Sequence, residues 1–240
     1  MAKTPRPGQV KTRLVPPLSA EEATALNAAF LRDMTTTIAT IGHALPVVSF
    51  VAYAPAGGEA AFDGLLAPGT ALVLADGSVP LPAGIVGIGR SLLHATRTLL
   101  GRGFAAVCLV NSDSPNLPGA ILREAVTTLA AGRHVVLGPA EDGGYYLIGI
   151  PAALAGMADA LFRDIPWSTP AVTATTLARA AEERIDVVCL PPWYDVDDWR
   201  SLRRLIRDLA ANDDPTASPA PETAACATRL GLSRLFVNEP

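Results

Sequence analysis

The 240-residue sequence has no apolar run long enough to cross a bilayer, which takes about 20 consecutive apolar residues. It has only three cysteines, Cys108, Cys189 and Cys226, odd in number and far apart. That excludes a disulfide framework and any Cys/His zinc spacing, and it points to a reducing cytoplasm. Cys108 and Cys189 sit in apolar runs, as buried thiols do. Three histidines, His43, His94 and His134, are scattered without ligand spacing. A basic excess is also missing: 19 Lys and Arg stand against 23 Asp and Glu, a net charge of −4. The chain therefore lacks the footprint of a protein that binds a nucleic-acid duplex. Ser168 has no nucleophile-elbow context, which argues against a serine hydrolase. The GIVGIG stretch from Gly84 to Gly89 follows no strand, so it is not read as a dinucleotide loop. The opening MAKTPRPGQVKTRL is charged and broken by proline, with no apolar signal core behind it.

What is present suits a filled core: half of the residues are hydrophobic and charged residues are few. The length fits one α/β domain. Ser19-Ala-Glu-Glu22 reads as a capping box opening a helix that runs to about Ile41. Strands are expected at 47–53 and 71–74, then a helix over 91–100 closed by Gly101. AAVCLV, residues 105–110, is a continuous apolar run of the kind found in a strand covered on both faces. Further on come a helix over 119–131, strands at 135–137 and 145–150, and helices over 154–162 and 172–183. A strand at 185–190 and a basic helix over 199–210 complete the pattern. Residues 212–223, rich in Asp, Pro, Ser and Thr, read as a linker, with a short helix or two over 224–236. Strands alternating with helices predict an α/β layer fold with a mostly parallel sheet. Ligands bind such sheets beyond the carboxyl ends of the strands.

Four polar clusters stand out, and two of them, Asn111 to Ser114 and Asp142 to Gly144, fall at strand ends where a ligand is expected. Lys3, Arg6, Lys11 and Arg13 crowd one short loop with Pro7 and Gly8, enough cations to surround a polyphosphate. The same loop also reads as a solvated chain end. Asn111-Ser112-Asp113-Ser114-Pro115 follows the buried strand, and Asp113 is suited to hold Mg²⁺ or Mn²⁺ beside a phosphate. All five are also turn formers. In Glu141-Asp142-Gly143-Gly144-Tyr145-Tyr146, the glycines allow close approach of a ligand, yet Asp-Gly is equally a hairpin signal. In Trp193-Tyr-Asp195-Val-Asp197-Asp198, Asp195 and Asp197 alternate and point the same way on an extended segment. They could complete a metal site, while Asp197 or Asp198 caps the helix that follows.

AKTPRPGQVKTRL, NSDSPNLP, GPAEDGGYYLIGI, DIPWST and WYDVDD, in this order, resemble a bacterial family of GT-A proteins called glycosyltransferase-like or radical-SAM/selenodomain-associated transferases. That family is similar to the guanylyltransferases of phospholactate and the molybdenum cofactor. The resemblance runs from Ala2 to about Leu209. It implies a three-layer Rossmann-like GT-A fold over residues 1–210, and composition sets residues 211–240 apart as a linker and helical tail. By position, Lys3, Pro7, Gly8, Lys11 and Arg13, with Asn111, Ser112 and Asp113, would bind the nucleotide. Asp113, Asp195 and Asp197 would hold the Mg²⁺ or Mn²⁺. Asp142, Gly143, Gly144, Tyr145 and Trp167 would face a small-molecule acceptor, with Lys11, Arg13, Asp113 and Asp142 catalytic.

The sequence departs from the family in three places. Family members open with an apolar strand before the first loop. Here the chain starts at that loop, so Met1 is expected to be an internal methionine with the true start upstream. The family's GDLGER-like segment is replaced by GIVGIGRSL, with no acidic residue. Residues 212–240 have no family counterpart. The expected function is metal-dependent transfer of a nucleotidyl group from a nucleoside triphosphate, releasing pyrophosphate. The alternatives are glycosyl transfer from a nucleotide-diphospho-sugar and nucleotide binding without turnover. The expected setting is cytoplasmic, with no nucleic-acid partner and room for a homodimer.

Overall fold

The computed structural model describes residues 1–211 and 219–232. The first strand, β1, is Ala2–Lys3, two residues only. It pairs in parallel with β2 (Phe50–Ala54), which pairs in parallel with β3 (Ala71–Leu74). A second sheet holds β4 (Ala106–Val110), β5 (Val135–Pro139), β6 (Tyr145–Pro151) and β7 (Val187–Cys189) in the order β4-β6-β5-β7. The strand β6 is antiparallel to both β4 and β5, and β7 is parallel to β5. The two sheets meet where the Met1 ammonium donates to the Val110 carbonyl at 2.7 Å. The strands thus run β3-β2-β1-β4-β6-β5-β7 across the molecule.

Six helices cover this sheet and its ends among the described residues: α1 (Ala20–Gly42), α2 (Ile88–Gly101), α3 (Gly119–Ala130), α4 (Val172–Glu182), α5 (Trp199–Ala210) and α6 (Pro221–Arg229). The alternation of side chains along a strand divides the core in two. Val107, Leu109, Val135, Ile148 and Ile150 face one side, against Leu92, Leu93, Ala95 and Leu99 of α2 and Ala180 of α4. Val110, Val136 and Leu147 face the other, against Ile121, Leu122, Ala125 and Leu129 of α3 and Met34 and Ile41 of α1. Helices on both faces of a mixed sheet make the three layers expected. Among the described residues, no helix is long and apolar enough to cross a membrane.

Local chemistry explains the element ends. The capping box is present: Ser19 Oγ accepts from Glu22 N at 3.1 Å, and Glu22 Oε2 accepts from Ser19 N at 2.7 Å. The Asp-Gly signal gives a turn between antiparallel β5 and β6, with Gly144 N donating to Asp142 Oδ1 at 2.8 Å. Residues 47–49 stay outside β2, which begins at Phe50. The helix expected over 154–162 is two short 3₁₀ turns, Ala152–Met157 and Ala160–Phe162. Cys189, expected in the core, is exposed at the end of the edge strand β7, where one face has no cover.

Residues 212–218 of the expected linker lie outside the described residues, as do 233–236 of the expected last helix. Pro221–Thr223, read from sequence as linker, are instead the first turn of α6. Pro221 suits the first turn of a helix because no backbone donor is needed there. Asp33 of α1 caps that turn, its carboxylate accepting from Glu222 N at 3.0 Å and Thr223 N at 2.8 Å. Cys226, Ala227 and Leu232 then pack with Leu26 and Phe30 of α1 and Leu202 and Leu205 of α5.

Candidate active site

The loop between β1 and α1 carries Lys11 in the left-handed region, at φ 49°. Such a conformation costs a residue with a side chain about 1 kcal/mol or more. It aims the ammonium into a cleft between two acidic segments. Lys11 Nζ lies 2.5 Å from Asp113 Oδ1 and 3.4 Å from Asp197 Oδ1, and donates to the Val196 carbonyl at 2.6 Å. It also sits 5.3 Å from the centre of the Phe30 ring, with its side chain only 5% exposed.

Backbone pairing holds those acidic segments together. Val196 N donates to the Asp113 carbonyl at 2.8 Å, and Ser114 Oγ donates to the Tyr194 carbonyl at 2.9 Å. Asn116 Nδ2 donates to Tyr194 Oη at 2.7 Å, and that hydroxyl donates on to Asp208 Oδ2 at 2.5 Å. Of the two carboxylates left open as helix caps, Asp198 takes the role, accepting from Ser201 N at 2.9 Å. Asp197 remains for the cleft.

A cavity of about 580 Å³ opens above the carboxyl ends of β1, β2, β3 and β4. Lys3, Lys11, Arg13, Asn111, Ser112, Asp113 and Asp197 all line it. Pro7 and Gly8 do not; they shape the turn that carries the cations. A residue missed from the sequence also lines it. Asn27 of α1 is buried, and its Oδ1 has no hydrogen-bond partner. Its signal was a polar residue on the apolar face formed by Ala23, Leu26 and Phe30. Met1 borders the same cavity.

A second cavity of about 660 Å³ adjoins the first, and Arg13 and Asp197 line both. Asp142 and Asp195 lie here, with arginines of α5 opposite. Burial raises the Asp195 carboxyl to about 7, reinforced by repulsion from Asp142, Asp197 and Asp113 and relieved in part by Lys11.

The remaining expected acceptor residues line neither cavity. Tyr145 and Trp167 meet edge to face at 6.2 Å and pack into the core beside α2. The GIVGIG stretch is the seat of that tryptophan. A Cβ on Gly87 would lie 3.1 Å from Trp167 Cδ1, and one on Gly89 2.9 Å from its Cζ2. Gly143, at φ 91°, is needed for chain packing: a Cβ there would stand 2.2 Å from the Pro170 carbonyl oxygen. Gly144 closes the turn with Asp142. The expected metal ligands are divided in the same way. Asp113 and Asp197 line the first cavity and Asp195 the second, and no group of three or more His, Cys, Asp or Glu is placed to hold a metal among the described residues.

Residues 37–169 match the profile of DUF2064, described as uncharacterized proteins conserved in bacteria. The chain belongs to this family. A DUF2064 chain of this architecture also resembles a solved structure from Desulfovibrio desulfuricans G20, provisionally named a nucleotide-diphospho-sugar transferase. The two are 28% identical, and the overlay covers 98% of this chain and 95% of the other at a TM-score of 0.78. That likeness gives the DUF2064 chain a GT-A-like fold. Rv0371c from Mycobacterium tuberculosis H37Rv overlays 82% of this chain and 92% of its own at 19% identity and a TM-score of 0.45. Its manganese complex overlays 83% and 93% at 18% identity and a TM-score of 0.44. Both overlays are too loose to carry an argument. No match is found among curated proteins.

Proposed function

We propose that this DUF2064 protein is a nucleotide-dependent transferase whose donor lies in the cavity above β1 to β4. The observation that carries this reading is the convergence of Lys3, Lys11 and Arg13 with Asn111, Ser112 and Asp113 on one cavity at the strand ends. Lys11 and Arg13 bind the donor's phosphates and neutralise charge that develops on the departing group. Asn27 offers its unpaired oxygen to the donor's ribose or base. The acceptor enters through the second cavity, where Asp195 takes a proton from its nucleophile; a base poised near neutrality suits that task.

Asp113 and Asp197 fit a magnesium or manganese ion in the manner of a site with one or two carboxylates completed by substrate phosphates, with Lys11 moving off Asp113 to the phosphates. Such an ion, when bound, supplies electrostatic stabilisation of the phosphate oxygens. Asp195 lines the second cavity, within electrostatic reach of this pair, and serves as the base.

Two transfers are compatible with this arrangement. The cationic loop favours nucleotidyl transfer from a nucleoside triphosphate with release of pyrophosphate. The full-length likeness to the Desulfovibrio protein, at 28% identity, favours glycosyl transfer from a nucleotide-diphospho-sugar. Calorimetry separates them: ATP, GTP, CTP, UTP and the common diphospho-sugars are titrated with Mg²⁺ or Mn²⁺, then with chelator. A triphosphate bound preferentially supports the first, a diphospho-sugar the second. Binding of either without turnover of any acceptor supports a nucleotide-binding protein instead. The absence of all binding overturns the nucleotide reading.

A further inference from the structure

The face of α5 turned to the second cavity carries Arg200, Arg203, Arg204 and Arg207. Their spacing of three, four and seven residues puts them on one side of the helix. Leu202, Leu205 and Ile206 hold the opposite side in the core. Arg204 is fixed: it grips Glu141 with two bonds of 2.6 and 3.0 Å and lies 3.8 Å above the Tyr194 ring. Arg200 and Arg207 flank it, roughly a turn away on either side. Both are exposed, and neither has an ion-pair partner among the described residues.

Among the described residues, no acid of this cavity makes an ion pair with Arg200 or Arg207. Asp198 is spent on the α5 cap, Asp142 on the turn at Gly144, and Glu141 on Arg204. Asp195 and Asp197 belong to the wall shared with, or next to, the donor cavity. The second cavity therefore has carboxylates beside the first cavity and the exposed guanidinium groups of Arg200 and Arg207 along α5. The planar guanidinium fork fits carboxylates and phosphates, which it binds with paired hydrogen bonds.

We propose that this cavity binds a small acceptor that carries a phosphate or a carboxylate, held by Arg200 and Arg207 while the opposite end faces Asp195. The inference deepens the transferase reading and rests on it for the word acceptor, but the anion site stands on its own geometry. An acceptor bearing no anion gains nothing from these two solvated arginines, so neutral acceptors bind more weakly.

The test is calorimetry on the full chain with glycerol 3-phosphate, D-glycerate and glycerol as probes. Wild type is compared with Arg200→Gln/Arg207→Gln and with Lys11→Met, each also titrated with the nucleotides above. Wild type and Lys11→Met are expected to bind at least one of the two anions equally, and glycerol not measurably. The double arginine variant should lose about tenfold in anion affinity, the scale of one lost charge-assisted hydrogen bond, while keeping its nucleotide affinity. Preference for glycerol 3-phosphate names a phosphomonoester, and preference for D-glycerate a carboxylate. Equal anion affinity in wild type and the double variant overturns the proposal. So does a loss confined to Lys11→Met, which puts the anion in the donor cavity, and so does the absence of anion binding by wild type. Anion binding in a protein that binds no nucleotide leaves this site standing and removes the transferase reading instead.

Discussion

The two cavities meet at one wall but manage their positive charge in opposite ways. In the first, the Lys11 ammonium is buried and already matched by Asp113, Asp197 and a carbonyl. In the second, Arg200 and Arg207 stand in solvent with no ion-pair partner among the described residues. A buried charge that loses its partner is costly, whereas an exposed one is screened by water. The first cavity is therefore a preset site in which a ligand must replace existing contacts, and the second can simply be filled.

The largest effect should come from breaking the preset pair. Asp113→Ala leaves the Lys11 ammonium with Asp197 and the Val196 carbonyl, and we expect at least about a hundredfold loss of metal-dependent nucleotide affinity, from the several charge-assisted contacts removed at once. The fold should survive, at a stability cost of roughly 2 kcal/mol, below the usual figure for a fully buried pair because Asp113 is partly exposed. Calorimetry with Mg²⁺ or Mn²⁺ and urea denaturation measure the two, and unchanged affinity refutes the metal assignment. Lys11→Met attacks the same pair from the other side. It should weaken triphosphates by about tenfold, and nucleosides less. At the same time Mn²⁺ should bind the ligand-free protein more tightly, because Asp113 is released; paramagnetic resonance of free Mn²⁺ reads this directly. Equal losses for triphosphates and nucleosides point to a structural role for the loop.

Asp195→Asn separates function from stability at the wall between the cavities. The raised carboxyl stabilises the fold while it is protonated. That contribution is complete below about pH 4, the ordinary carboxylate value, and is lost as pH rises through about 7. The variant should thus be more stable than wild type at pH 8, by roughly 2 kcal/mol, and no more stable at pH 4. Turnover should fall, and its rise with pH through neutrality should vanish. A melting series across pH and a rate profile decide both. The smallest effect belongs to a residue outside either cavity. Gly89→Ala presses a methyl on Trp167 and should cost about 1–3 kcal/mol of stability without changing nucleotide affinity. A loss of affinity there would put Trp167 back among the binding residues.

Much of the scaffold was legible because its signals are local. The Ser19–Glu22 box, the 106–110 run, the Asp-Gly turn and the amphipathic helix at Trp199 each depend on a few neighbouring residues, and each is present. The donor cavity was legible in part for a similar reason: strand-end loops converge once the sheet order is known. Residues answering to distant partners were not. Asn27 gave only a polar interruption of an apolar face. Asp33 caps a helix that begins about 190 residues later, as its bond to Thr223 spans that separation. Trp167 read as an acceptor contact, and nothing in the sequence tied it to Gly87 and Gly89, against which the fold packs it. The arginines of α5 were legible only as a basic helix, because a helical repeat says which residues share a side and not what lies opposite.

Arg13 and Asp197 line both cavities, so a ligand that engages either side chain from one cavity acts on whatever fills the other. A phosphate that draws Arg13 toward the donor alters the field felt across the wall, and by thermodynamic reciprocity the second occupant changes the affinity of the first by the same factor. Heterotropic cooperativity, positive or negative, is therefore built into a shared pair of side chains and needs no movement of the backbone.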